Sequence, residues 1–138
     1  MKKENCYSEL TRSFEAHEVD NNSFHHAEHV QVAFELLDKY DFIDATSIYA
    51  KGIRALATDM GVPQKFNLTI TYAFMSLIAE RMVDSSASNF EDFMELNPDM
   101  MSKTILTKWY SADRLSSEIA RNVFLMPVPI EVGLANVS

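Results

Sequence analysis

Three of the four histidines, His25, His26 and His29, stand together in the stretch Ser23-Phe24-His25-His26-Ala27-Glu28-His29-Val30. An imidazole can ligate a transition metal, hydrogen-bond a ligand, or move a proton near neutral pH. His25 and His29 are separated by four positions and His26 and His29 by three, so either pair shares one face of a helix and could chelate one divalent transition metal ion. Two imidazoles do not complete a site. The remaining donors must come from another element.

Familiar catalytic spacings are missing around the cluster. No Glu stands three positions ahead of a histidine, which removes the paired Glu-x-x-His of a di-iron bundle. Glu28 is out of place for the His-Glu-x-x-His of a metalloprotease. The single Cys6 has no histidine near it in sequence and there is no glycine-rich phosphate loop, so the sequence leaves open whether the chain catalyses anything.

The element that must position the trio is a helix over Phe24 to Tyr40 with Ser23 as its N-cap. At about 100° per residue, Ala27, Val30, Val32, Ala33, Phe34, Leu36, Leu37 and Tyr40 share one broad arc, and Glu28, Gln31, Glu35, Asp38 and Lys39 share the rest. The three histidines fall inside the apolar arc, and all three are expected to point into the bundle. Buried imidazoles need partners for their ring nitrogens and cannot all carry charge side by side. Three roles remain open at this point: a structural one, a pocket for a metal or small ligand, and a surface pH switch.

The 138 residues are 47% hydrophobic, enough for one core and too few for two ordinary domains. Three glycines, four prolines and eight methionines, without alternating β-branched runs, favour an all-α fold. We expect one helical domain over 1–138, a bundle of about five to seven helices, with 1–21 and 126–138 loosely packed or extended. A net charge of −8 and no basic run beyond Lys2-Lys3 argue against nucleic acid and anionic membrane as partners. One cysteine, no signal-like apolar stretch and no spanning-length apolar run give a soluble, cytoplasmic expectation.

In chain order, Tyr7, Leu10 and Phe14 predict a short helix over 5–16, with His17 near its end. Asp41 caps a helix running to Met60, stopped by Gly61-Val62-Pro63. A third helix over about 64–83 is apolar nearly all round and is expected at the centre of the bundle. Asn67 and Thr71 lie one turn apart near its head and are candidates to face the histidines. Glu80 and Arg81, further along, suit a salt bridge or solvent more readily than a site. A serine loop at 84–88 precedes a short helix over 90–96, a helix opened by Asn97-Pro98, a last helix over 112–124, and an extended tail set by Pro127 and Pro129.

The chain resembles a group of short bacterial all-helical proteins without established activity. The resemblance rests on Phe24 to Val30, on Phe66-Asn67-Leu68-Thr69-Ile70-Thr71 with Glu80-Arg81-Met82 following, on Asn97-Pro98-Asp99-Met100-Met101, and on Ser117 to Phe124 with Pro127. In that group the head of the central helix tends to carry His-Glu, and the resemblance implies that this end meets the histidine helix to complete a metal site. Here Asn67-Leu68 stands in that place, and neither is a good ligand for zinc or iron. The resemblance therefore implies a fold and a site, and for this chain weakened metal affinity or an organic ligand instead.

Two functions follow from these readings. One is a ligand- or metal-binding protein using His25, His26 and His29 with Asn67 and Thr71 opposite, in which one histidine could serve as a general base. The other is a non-catalytic helical module whose methionine-rich and apolar surfaces mediate self-association, with a homodimer as the base-rate expectation.

Overall fold

Six of the seven α-helices among the described residues start on a Ser, Asp or Asn whose side chain accepts the backbone N–H three residues further on, the residue types such positions favour. The seventh starts on a histidine. The computed structural model describes residues 8–128. They form α1 (Glu9–Glu15), α2 (His26–Lys39), α3 (Phe42–Asp59), α4 (Leu68–Asp84), α5 (Phe90–Leu96), α6 (Ala112–Leu115) and α7 (Glu118–Asn122), with no strand among the described residues. Single 3₁₀ turns at Asn21–Ser23, Pro63–Lys65, Pro98–Met101 and Ile105–Lys108 lie between them. No helix among the described residues is long and apolar enough to cross a membrane.

One apolar core runs through the whole described chain, from Phe14 through Val30, Leu36, Met75 and Phe93 to Leu115. Two helices share its centre. α2 packs on α1, α3, α4, α5 and the 98–101 turn, while α4 packs on α2, α3, α7 and the 105–108 turn. Ile70, Tyr72 and Val83 of α4 keep substantial exposure, so its apolar character does not amount to enclosure on every side.

The helix carrying the histidines begins two residues later than the sequence predicts. Asp20 accepts the Asn22 N–H at 3.0 Å and its carbonyl accepts the Ser23 hydroxyl at 3.2 Å, which commits Ser23 to the preceding turn and leaves His25 at the N-cap. Glu28 closes the start by accepting the His25 backbone N–H at 2.8 Å. The wheel also misplaces Glu35. It is 5% exposed, and one of its carboxylate oxygens accepts the Ser8 N–H at 3.0 Å, the Ser8 hydroxyl at 2.8 Å and the Thr11 hydroxyl at 2.6 Å. Gln31 donates to the other oxygen at 3.2 Å. A buried carboxylate is tolerable when several donors replace its water, and here three of those donor groups belong to the head of α1.

α1 is therefore pinned, in correction of the loose packing expected for 1–21; residues 1–7 lie outside the described residues. Phe14 is 2% exposed and stacks between Phe24 and Tyr49, with ring centroids 5.7 Å and 5.8 Å away. Gly52 makes this seat possible, since a Cβ there would overlap the Phe14 ring. α3 ends as predicted: Gly61 takes φ 77°, and the Val62 N–H bonds back to the Ala57 carbonyl at 2.8 Å.

The C-terminal third departs from the predicted long helices. The segment after Pro98 breaks into two 3₁₀ turns, and the predicted 112–124 helix divides at Ser116-Ser117. Ser117 accepts the Ala120 N–H and restarts the chain as α7, the competition between a serine side chain and the helix ladder that favours caps. Residues 124–128 form neither helix nor strand, and residues 129–138 of the expected tail lie outside the described residues.

Candidate functional site

The head of α2 and the first turns of α4 meet over a cavity of about 140 Å³. Its walls come from His26 and His29 of α2, Tyr49 and Ile53 of α3, Ile70, Thr71 and Phe74 of α4, and the Lys103, Ile105 and Leu106 segment. Of the five candidates named from sequence, His26, His29 and Thr71 are brought together here. His25 and Asn67 are not.

His25 is an exposed N-cap and correctly belongs to solvent, because the helix starts after it and not before it. Asn67 is spent on structure: its side-chain oxygen accepts the Ile70 N–H at 2.9 Å, and its amide donates to the Leu115 carbonyl at 2.6 Å. The Thr71 hydroxyl donates to the Asn67 carbonyl at 2.7 Å, which leaves its oxygen free to accept.

His26 Nε2 lies 2.8 Å from the Met100 carbonyl oxygen. A carbonyl only accepts, so Nε2 carries a proton and donates it to Met100. The ring also lies 5.9 Å from that of Phe74. Met100 is held in place in turn by an ion pair beside it: Asp99 takes both guanidinium nitrogens of Arg81 at 2.9 Å and the Lys108 ammonium at 3.1 Å, while Asn97 accepts from Arg81 at 2.9 Å. These charged and polar partners hold the Asp99 carboxyl well below the usual carboxylate range. Arg81 thus plays the structural part anticipated from sequence.

The His29 ring packs edge-on against Phe24 at 4.6 Å between ring centroids and makes no hydrogen bond to the described residues. Burial, followed by the neighbouring His26, pushes its pKa from 6.5 down to about 4 against the opposing pull of Glu28. It is a neutral imidazole at physiological pH. Tyr49 is buried, its hydroxyl likewise has no hydrogen-bond partner among the described residues, and burial raises its pKa well above that of an ordinary tyrosine. It stays protonated.

Among the described residues the cavity combines apolar walls with the polar groups of His26, His29, Tyr49 and Thr71, and Lys103 is the one Lys, Arg, Asp or Glu lining it. Tyr49 and Lys103 were not singled out from sequence. A tyrosine on the inward face of the second long helix was the available signal for Tyr49, while nothing local marks Lys103.

The donor set does not suit a metal. A closed transition-metal site takes three or four His, Cys or carboxylate ligands, and among the described residues no three such groups come together. The proposed trio of His25, His26 and His29 is broken by the exposure of His25, with Nε2 of His26 already committed to a backbone carbonyl. The His26 ring bonds to Met100, and Arg81 binds Asn97 and Asp99. No protein-family model matches the chain, and no curated protein or solved structure matches it either.

Proposed function

We propose that the protein binds a small, largely apolar organic molecule in the cavity between α2, α3 and α4. The supporting observation is the pairing of the half-buried His29 with the buried Tyr49, two polar side chains without a hydrogen-bond partner among the described residues, on the wall of one cavity. Buried polar groups are nearly always satisfied, by water or ligand when protein does not supply the partner. An apolar cavity of about 150 Å³ accepts benzene, so the 140 Å³ here suits a single ring or a compact equivalent. One hydroxyl or amide on that molecule would meet His29 and Tyr49. A pKa of about 4 makes His29 a weak base at neutral pH, which favours recognition over proton abstraction.

Phenol is the direct probe. Titrated into the ¹⁵N-labelled protein, it should shift the amide resonances of Ile53, Ile70 and Phe74, and His29→Phe, which fills the space, should abolish the effect while the chain stays folded. No shift at those three positions in the wild type would overturn the reading.

A second reading, a module that self-associates, draws on the exposed apolar side chains of Ile119, Val123, Phe124 and Met126 around α7 and the tail. Sedimentation across a concentration series tests it, and a monomer throughout would count against it.

A further inference from the structure

Beside the cavity lies a wider groove of about 690 Å³ that presents Lys65, Lys103 and Arg121 together with Thr104, Thr107 and Ser116. No carboxylate lines it. On a chain where acids outnumber cations 20 to 12, an unselected groove would collect acids first. Neither Lys65 nor Lys103 forms an ion pair with the described residues, and among them the Arg121 guanidinium donates only to the Ser116 carbonyl, at 3.2 Å. In an acidic protein such cations would ordinarily find carboxylates, as Arg81 and Lys108 do at Asp99. Glu118 lies in an adjoining groove that shares Gln64 and Arg121.

We propose that this groove holds the phosphate of a small phosphate monoester whose organic part occupies the neighbouring cavity. Three cations match a dianion with several acceptor oxygens, while the Thr107 and Ser116 hydroxyls already donate to the Thr104 and Asp113 carbonyls. The groove and the cavity share Ile70, Lys103 and Leu106 as lining residues, so one molecule can reach both. Lys103 is the pivot, the only charged residue common to the two. A ring of benzene size in the cavity leaves the phosphate at the Lys103 side, where the basic groove begins. The inference names the ligand class of the cavity and so rests on the reading given above, while the anion site itself does not.

Calorimetric titration at low ionic strength with three probes separates the parts: phenyl phosphate for both spaces, phenol for the cavity alone, inorganic phosphate for the groove alone. Phenyl phosphate should bind at least tenfold more tightly than either fragment. Lys103→Gln and Arg121→Gln should each weaken phenyl phosphate about fivefold to tenfold and leave the fold intact, since both side chains reach solvent, and Arg121→Gln, outside the cavity, should leave phenol within twofold. Lys51→Gln, an exposed lysine outside the groove, should change nothing.

Phenyl phosphate no tighter than phenol, and indifferent to Lys103→Gln, would overturn the proposal while leaving the cavity reading in place. Phosphate binding that depends on Lys103 and Arg121, with no phenol binding, would overturn the combined ligand and the cavity reading together, and leave a bare anion site. Absence of binding by all three probes would remove both.

Discussion

His29 carries a consequence that can be read in solution. The folded chain resists protonating it until about pH 4, whereas an unfolded chain protonates it near 6.5. Below pH 6.5 the unfolded state therefore takes up the proton first, so stability present above that pH falls as the medium is acidified and levels off near 4. The full shift corresponds to about 3 kcal/mol, of which about 2–3 is lost by pH 4.5. Urea melts at pH 7 and 4.5 should show that difference between the wild type and His29→Gln. Equal losses in both proteins would mean that the ring is solvated. At this scale the sequence was half legible. Spacing identified the imidazoles that share a helix turn, but a two-residue shift in where the helix starts moved His25 from the interior to the cap. Tyr49 and Lys103 join the site only through tertiary contacts, which no local pattern records.

At the scale of elements, the informative positions are those where one helix seats another. Gly52→Ala sets a methyl group against the Phe14 ring, and the gain in helix propensity of about 1 kcal/mol is outweighed by overpacking that costs about 1–3 kcal/mol. A net destabilisation of about 1 kcal/mol in chemical denaturation is expected, and a more stable variant would show that α1 can shift aside. Asp99→Ala makes a different kind of change. Its ion pairs are partly exposed and screened, so the stability cost should stay near or below about 1 kcal/mol. Yet freeing the 98–101 turn releases the Met100 carbonyl from its fixed place opposite His26. Histidine ring ¹⁵N shifts should then report mixed tautomers for His26, and an unchanged spectrum would argue that the turn holds without Asp99. Helices α3 and α5 were legible almost to the residue because polar caps and Gly61-Val62-Pro63 act locally. The broken helices after Pro98 were not, because apolar periodicity continues across Ser116-Ser117 while the hydrogen bonds do not.

For the molecule as a whole, the core that joins Phe14 to Leu115 leaves no described helix to unfold by itself. Trp109 lies after the 105–108 turn and is the only tryptophan, so its fluorescence follows the C-terminal third while far-UV circular dichroism follows the long helices. The two denaturation curves should coincide, and a tryptophan transition at lower denaturant would reveal a separable C-terminal unit. All-α class and a single shared core were legible from composition and periodicity, since those properties average over many residues and survive local errors. What the helical wheel placed on the polar face and the fold places inside is Glu35. An N-terminally trimmed chain that begins after Thr11 would lose the three donor groups that substitute for hydration there, and would strand an anion in an oily interior. Clipping the first turns should thus disable the remainder far more than the missing apolar contacts alone would suggest, with Glu35→Leu expected to rescue the shortened form.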